Sequence, residues 1–305
     1  MNNVDAIVVT YNRCTLLKQC LLALATQSTR PRKIWVIDNA STDNTPETVL
    51  DIVRAYPDLI EYRRLADNLG GAGGFSEGLK VACEGGCDWA WMMDDDAAPY
   101  PDALEQLIAV ADDNRHIYGS LAVRGDDTSW ATTILAPDRL VANRRDEVPV
   151  KAQVLSLPFL GFMVHRDLVT RIGLPDPGYF IAADDVEYCL RAERSGAKLF
   201  IAGKSLIDHP KSDRYIARLP GRELICLRLP PWKRYYDTRN RLLIARKYYG
   251  FRLLTQTVPG SLARHLACLG HEGNRLRQTW AFLAGFIDGL LGLKGRRHRS
   301  WGISQ

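Results

Sequence analysis

The 305 residues are 46% hydrophobic and 25% charged, which is enough to build one large core and excludes a disordered or fibrous chain. The net charge of +5 conceals a division: residues 1–210 hold 21 Lys and Arg against 30 Asp and Glu, while residues 211–305 hold 19 against 5. The basic last third favours an anionic surface: phospholipid, a diphosphate-bearing acceptor or nucleic acid, and the acidic body makes a nucleic-acid-binding protein the lesser alternative. Seven cysteines with no C-x-x-C pair suit a reducing compartment, and the chain opens directly on a strand-like run. The expected address is therefore the cytoplasm.

In chain order, short apolar runs at 6–9, 34–37 and 89–93 read as strands. Helical periodicity follows at 14–27, 45–56, 73–84 and 101–112, with Thr45 as N-cap and Pro46 as first helical residue. Such alternation implies βαβ units, a mostly parallel sheet, and ligands at the carboxyl ends of the strands. Thr10-Tyr11-Asn12, Asp38-Asn39 and Asp94-Asp95-Asp96 all fall at such ends. The last is the most informative. Three consecutive carboxylates after a buried strand repel one another and are costly to bury unless a cation compensates, so they mark a divalent-metal site. Mg²⁺ or Mn²⁺ suits such oxygen ligands, with a substrate's phosphates supplying the rest.

Between the second and fourth strands, the run from Asn68 to Phe75 holds Gly70, Gly71, Gly73 and Gly74 just before a helical pattern. Glycines there let backbone amides approach a phosphate or sugar closely. Residues 115–157 are less regular, with an exposed hairpin near 124–127. Residues 159–164 read as another buried strand. A Pro- and Gly-rich loop at 174–178 leads into the apolar run Tyr179-Phe180-Ile181, which suggests a site reached from inside the sheet. A helix then runs from Asp184 to about Ser195. Asp184 and Asp185 open that helix, where carboxylates serve as caps or, given the right geometry, as a general base. Short strands at 198–201 and 205–207 end at Asp208-His209-Pro210, where His209 is positioned as a further metal ligand. Beyond 211 the chain is helical and basic. Leu276, Trp280, Leu283, Ile287 and Leu290 form one helical stripe, expected to pack on the body or on a second copy in a homo-oligomer, while the neighbouring charge attracts membrane.

Taken in order, Val8-Val9-Thr10-Tyr11-Asn12-Arg13, Val36 to Asp43, Asp94-Asp95-Asp96 and Asp184-Asp185-Val186-Glu187 with Leu190-Arg191-Ala192 resemble a family 2 glycosyltransferase of GT-A fold. The resemblance covers about residues 4–212. Asp67–Phe75 and Tyr235-Tyr236-Asp237-Thr238-Arg239-Asn240 are similar to its galactofuranosyltransferase and rhamnosyltransferase branch.

The resemblance implies a GT-A catalytic domain over 1–212 and a basic helical region over 213–305. It implies an inverting, metal-dependent transfer of galactofuranose from UDP-galactofuranose to a lipid-linked glycan in bacterial surface polysaccharide assembly, at the cytoplasmic face of the inner membrane. A dTDP-rhamnose donor is the alternative. Thr10, Tyr11, Asn12, Asp38, Asn68, Gly70 and Gly71 would line the nucleotide sugar, with Asp38 facing the uracil. Asp94 and Asp95 would lie against the ribose and diphosphate. Asp96 would hold Mn²⁺ or Mg²⁺ together with His209 and Asp94. The family's Glu-Asp-x-Asp motif stands here as Asp184-Asp185-Val186-Glu187, which puts Asp185 in the base position.

Overall fold

A computed structural model describes residues 3–135, 139–219 and 222–304, without the side chains of Leu219 and Arg222. Residues 136–138, part of the irregular 115–157 segment, and both chain ends lie outside the described residues. The chain divides into two compact units: residues 1–176 with 188–211, and residues 177–187 with 212–305. The second unit thus takes in a short segment that the sequence reading had kept with the catalytic body.

The first unit begins β1 (Val4–Thr10), α1 (Cys14–Ala25), β2 (Lys33–Asp38), α2 (Thr45–Ala55), β3 (Ile60–Arg64), α3 (Gly70–Glu84) and β4 (Trp89–Asp94). It continues with β5 (Ala98–Pro99), α4 (Ala103–Val110), β6 (Ile117–Arg124), β7 (Asp127–Ile134), β8 (Leu140–Arg144), β9 (Ala152–Gln153), β10 (Leu160–His165) and α5 (Arg166–Ile172). The helix α6 (Asp184–Arg194) starts in the second unit and ends in the first, followed by β11 (Leu199–Asp208). The sheet order is β3-β2-β1-β4-β10-β6-β11-β5, with β3, β2, β1 and β4 mutually parallel.

Period-2 alternation on β1 sorts the two faces. Ile7 and Val9 point into one core with Phe75 and Leu79 of α3, joined by Leu168 of α5 and Tyr188 of α6. Ala6 and Val8 face Leu17 and Leu21 of α1, Val49 of α2 and Leu104 of α4. Helices therefore cover both faces, as a parallel sheet requires.

The glycine run does not precede α3 as the sequence reading had it. Helix α3 starts at Gly70 and the glycines form its first turns. A Cβ at Gly74 would sit 2.4 Å from a Val9 methyl, and one at Gly78 2.4 Å from an Ile7 methyl. These two glycines let helix and sheet touch. Gly71 has open space around its Cβ position.

The second unit contains the hairpin β12 (Arg214–Leu219) and β13 (Arg222–Leu227), then α7 (Pro231–Tyr248), α8 (Val258–His271) and α9 (Arg275–Leu291). Helices α7 and α9 meet where a Cβ at Gly285 would fall 2.4 Å from the Tyr235 carbonyl oxygen. The apolar stripe is therefore not what α9 packs with inside this chain, and packing on a second copy stays an expectation. Helix α9 packs through its small residues Ala281, Ala284, Gly285 and Gly289, because only they admit the α7 backbone this closely. Leu276, Trp280, Leu283 and Ile287 remain exposed on the single chain. No helix among the described residues is long and apolar enough to cross a membrane.

Candidate active site

Parallel register brings the carboxyl ends of three strands side by side: Thr10 pairs with Asp38, and Val9 with Asp94. The chain then turns, and Asp95 folds back so that Thr10 donates its hydroxyl to Asp95 Oδ2 at 2.7 Å. Arg13, just before α1, reaches the same turn. Its Nη1 lies 2.7 Å from Asp96 Oδ2 and 3.3 Å from Asp95 Oδ1. Burial pushes the Asp95 carboxyl up to about 6, against the opposing pull of Arg13 and Thr10. Asp96 is half-buried, yet His209 and Arg13 outweigh the desolvation and hold its carboxyl below the ordinary range.

Asp38 is fully buried, and its oxygens are engaged by the protein. Ser41 N–H donates to Oδ1 at 2.8 Å and Tyr62 O–H to Oδ2 at 2.7 Å, with Arg64 Nε 3.8 Å from Oδ2. It thus fixes the loop after β2. That loop is tied in turn to the loop after β1. Ser41 Oγ accepts from Asn12 N–H at 2.9 Å, and Asn12 Oδ1 accepts from Thr42 N–H at 2.7 Å. Asn12 and Ala40 both have positive φ, an unusual concentration of left-handed backbone at one strand edge. Asn39 Oδ1 accepts from Leu69 N–H and Asn39 Nδ2 donates to the Gly70 carbonyl, which couples this edge to the start of α3. Asn68 Oδ1 accepts from Gly70 N–H at 2.8 Å. Thr10, Asn12, Asp38, Asn68, Gly70, Asp95 and Asp96 are therefore gathered by the ends of β1, β2 and β4 and by the α3 N-terminus. Tyr11 lies in the same β1 loop.

The residues present fit a divalent cation. His209 Nε2 lies 3.4 Å from Asp96 Oδ1. Two donors sharing one hard cation at about 2.1 Å each stand roughly 3 Å apart. The other ring nitrogen, Nδ1, is buried without a partner among the described residues. The ring is held by backbone instead: His209 N–H donates to the Val123 carbonyl and Ser129 Oγ to the His209 carbonyl. Among the described residues no group of three or more His, Cys, Asp or Glu converges, so Asp94, Asp96 and His209 form no complete three-ligand cluster. A two-ligand site completed by phosphate oxygens is the arrangement that suits Mg²⁺ or Mn²⁺.

In the second unit, Tyr179-Phe180-Ile181 does not join the sheet, contrary to the expectation of a site reached from within it. A 3₁₀ turn over Pro177–Tyr179 gives way to left-handed backbone at Phe180, Ala182 and Ala183, with φ of 63, 70 and 60°. Each such residue costs about 1–2 kcal/mol, so the surroundings must hold them. Helix α6 follows, its first bond running from Glu187 N–H to the Ala183 carbonyl. Burial raises both carboxyls of Asp184 and Asp185, and for Asp184 the charge of Asp185 adds to the rise. Asp185 Oδ1 accepts from Val186 N–H at 2.7 Å.

Against this geometry, residues 5–170 match the family model for glycosyl transferase family 2. The chain belongs to that family. Over 249 residues, 78% of this chain and 81% of the relative, it is 32% identical to galactofuranosyltransferase GlfT1 of Mycobacterium tuberculosis (strain ATCC 25618 / H37Rv). It is 23% identical to the dTDP-rhamnosyl transferase RfbF of Shigella flexneri over 304 residues, 96% of this chain and 97% of that protein. Among solved structures it is similar to GalNAc-T7 with UDP, GalNAc and Mn²⁺. That match has a TM-score of 0.67 at 14% identity and covers 94% of this chain and 57% of the other. It is also similar to the mannosyltransferase PcManGT from Pyrobaculum calidifontis in complex with GDP-Man and Mn²⁺, at TM-score 0.58 and 16% identity, covering 94% and 87%. The fold is GT-A, and the protein is a glycosyltransferase.

Several residues of this family 2 enzyme escaped the sequence reading. Arg13 stood inside the quoted string without a role. Tyr62 and Arg64 share one face of β3 at period 2, both toward Asp38, but their strand was too polar to be located from pattern. Arg239 and Asn240 are fully buried on α7 and donate to the backbone ahead of Asp184. Their signal was a fully polar pair inside a helix whose neighbours Tyr235, Tyr236, Leu242 and Leu243 are core.

Proposed function

We propose that this glycosyltransferase moves galactofuranose from UDP-galactofuranose, with inversion, to a lipid-linked glycan. The supporting observation is the 32% identity to GlfT1, which extends well past residue 170, where the family model ends, and so includes more than the shared donor fold. The chain's own residues have clear parts in such a transfer. The loops after β1 and β2, locked by Asp38, Asn12 and Ser41, and the start of α3 cradle the uridine and diphosphate. Asp96 and His209 hold the divalent cation, Mn²⁺ or Mg²⁺, whose chemistry is to offset charge on the departing diphosphate. Arg13, now paired with Asp96 and Asp95, would supply positive charge beside the diphosphate. Asp185 accepts the proton of the acceptor hydroxyl as that oxygen bonds to the sugar and the diphosphate leaves, while Asp184, the more strongly raised of the two, stays protonated and leaves the charge on Asp185.

The exposed Leu276, Trp280, Leu283 and Ile287 beside Lys294, Arg296, Arg297 and Arg299 support contact with an anionic membrane that carries the acceptor, at the cytoplasmic face. A second reading, with dTDP-rhamnose as donor, is favoured by the near full-length similarity to RfbF at lower identity. Incubation with each donor, with Mn²⁺ present and then chelated, separates them. Nucleotide release from UDP-galactofuranose alone supports the first reading, and release from dTDP-rhamnose alone replaces it with the second.

A further inference from the structure

Every backbone carbonyl from Gly178 to Ala182 except that of Phe180 accepts from one dipeptide on α7. Asn240 Nδ2 lies 3.0 Å from the Tyr179 oxygen, 2.9 Å from that of Ile181 and 2.6 Å from that of Ala182. An amide has two N–H groups, so both are used and are shared among three acceptors. Arg239 takes the rest. Its Nη2 donates to Gly178 at 3.1 Å and Tyr179 at 2.8 Å, its Nη1 to Gly295 at 2.5 Å, and its Nε to Asn240 Oδ1 at 2.9 Å. Thus Arg239 also orients the amide that does most of the holding.

The guanidinium is fully buried, its hydrogen-bond acceptors are carbonyl oxygens, two aromatic faces lie against it, Tyr236 at 4.7 Å and Tyr235 at 5.5 Å, and the charge of Asp288 acts on it without a direct bond. A buried cation spent on carbonyls is costly unless it fixes something. What it fixes is the left-handed run through Phe180, Ala182 and Ala183, whose exit sets the direction of the first turn of α6. A second grip comes one turn further on. Lys247 Nζ at 2.8 Å and Tyr248 O–H at 2.5 Å both donate to the fully buried Glu187. Helix α7 therefore holds the backbone on both sides of Asp184 and Asp185.

We propose that Arg239 and Asn240 are positioning residues that aim the Asp184–Asp185 carboxylates by clamping the carbonyls of residues 178–182. The functional half of this rests on Asp185 acting as the base. The structural half does not. Asn240→Leu keeps the shape and removes the donors. Arg239→Lys keeps the charge and removes the fork.

In the full chain, hydrogen exchange of peptides spanning 177–187 quickens in both variants, while exchange in β1, β2 and β4 is unchanged. Unchanged exchange at 177–187 overturns the clamp. In UDP-release kinetics kcat falls by about a hundredfold in Asn240→Leu, as misplacing a catalytic group does, while donor KM and the affinity for UDP with Mn²⁺ stay within about twofold. A cycle with Asp185→Asn then tests the link: the double variant is no slower than Asp185→Asn alone, whereas fully additive losses overturn action through Asp185. Should Asp185→Asn turn over normally while 177–187 still opens in Asn240→Leu, the base reading fails and the clamp stands. Asn240→Ser, which keeps one donor, gives intermediate exchange and intermediate kcat. It serves in place of Asn240→Leu if that variant does not fold.

Discussion

His209 Nε2 stands 3.4 Å from Asp96 Oδ1 because a two-residue strand brings two distant segments together. Right after the acidic turn, Ala98 and Pro99 pair antiparallel with Asp208 and Ile207. Strand β11 also runs parallel to β6, with Asp208 opposite Val123, so the residue after its end is placed from two sides. An imidazole and a carboxylate this close, one ring nitrogen lacking any partner among the described residues, are the donor pair proposed above for the cation.

His209→Ala is therefore expected to raise the Mn²⁺ concentration needed for half-maximal UDP release by about 10–100-fold, since metal affinity falls by that order when a coordinating shell is damaged. Among the described residues its ring meets Asp96 and, in a tilted contact, Trp130, and no apolar core residue packs on it, so the melting temperature should change little. A metal requirement unchanged by the substitution would remove His209 from the cation site.

With Asp185 as the proposed base, the Asp184–Asp185 pair is expected to set the pH dependence. Both carboxyls are raised by burial, and Asp184 further by its neighbour's charge, so the pair titrates above the usual carboxylate range. A base works deprotonated, hence kcat should climb as pH rises through the pair's apparent pKa and flatten above it. The acid limb of the kcat profile in wild type should lie above pH 5 and vanish in Asp185→Asn, whose residual rate is flat with pH. A limb near pH 4 would mean that the ionising group is an ordinary exposed carboxylate.

How much of this was legible in the chain follows from where the information lies. Strands β1, β2 and β4 could be read because each is a continuous β-branched or aromatic run buried on both faces. Strand β3, with Glu61, Arg63 and Arg64, could not, because it is the half-exposed edge of the sheet: Tyr62 and Arg64 serve Asp38, while Glu61 and Arg63 pair with Lys33 and Glu77. The acidic turn announced itself by charge repulsion, whereas Arg13, its counter-ion, looked like any surface cation. The left-handed run before Asp184 has no local signature: Phe180 and Ala183 do not favour positive φ, and the groups that impose it lie on α7, some sixty residues later in sequence. The α9 stripe does not pack on the body, because apolar periodicity reveals which face is apolar but not what covers it. The small residues opposite decided the packing.

Asp184→Asn should stabilise the protein at pH 8. The folded-state pKa of Asp184 is raised, so its contribution to stability is present below the unfolded value near 4 and is lost as pH rises through the folded value. An isosteric neutral amide removes that loss. The gain should be about 1–3 kcal/mol at pH 8 and should shrink toward zero by pH 4, read from denaturant midpoints at the two pH values. A variant less stable than wild type at pH 8 would show that the Asp184 charge is compensated in the fold.

Gly78 is where the sheet and α3 come closest, and magnitudes decide what a methyl there does. Alanine in a helix interior gains about 1 kcal/mol over glycine. Against this, the new Cβ would lie 2.4 Å from Ile7 Cγ2 and 3.1 Å from Ile37 Cγ1, both fully buried and stiff at the branched carbon. Overpacking of that kind costs about 1–3 kcal/mol, and neither isoleucine has room to turn away. Gly78→Ala should therefore lower the melting temperature by a few degrees. It should also weaken donor binding, because lifting α3 shifts the strands that end at Thr10 and Asp38. Gly71→Ala is the matched control. Its Cβ enters open space at an unremarkable φ, so the same propensity gain goes unopposed and the melting point should rise. If donor affinity then falls although stability has risen, the Gly71 backbone is approached closely by the ligand. If both variants destabilise alike, glycine is retained along this helix for a reason other than contact with β1.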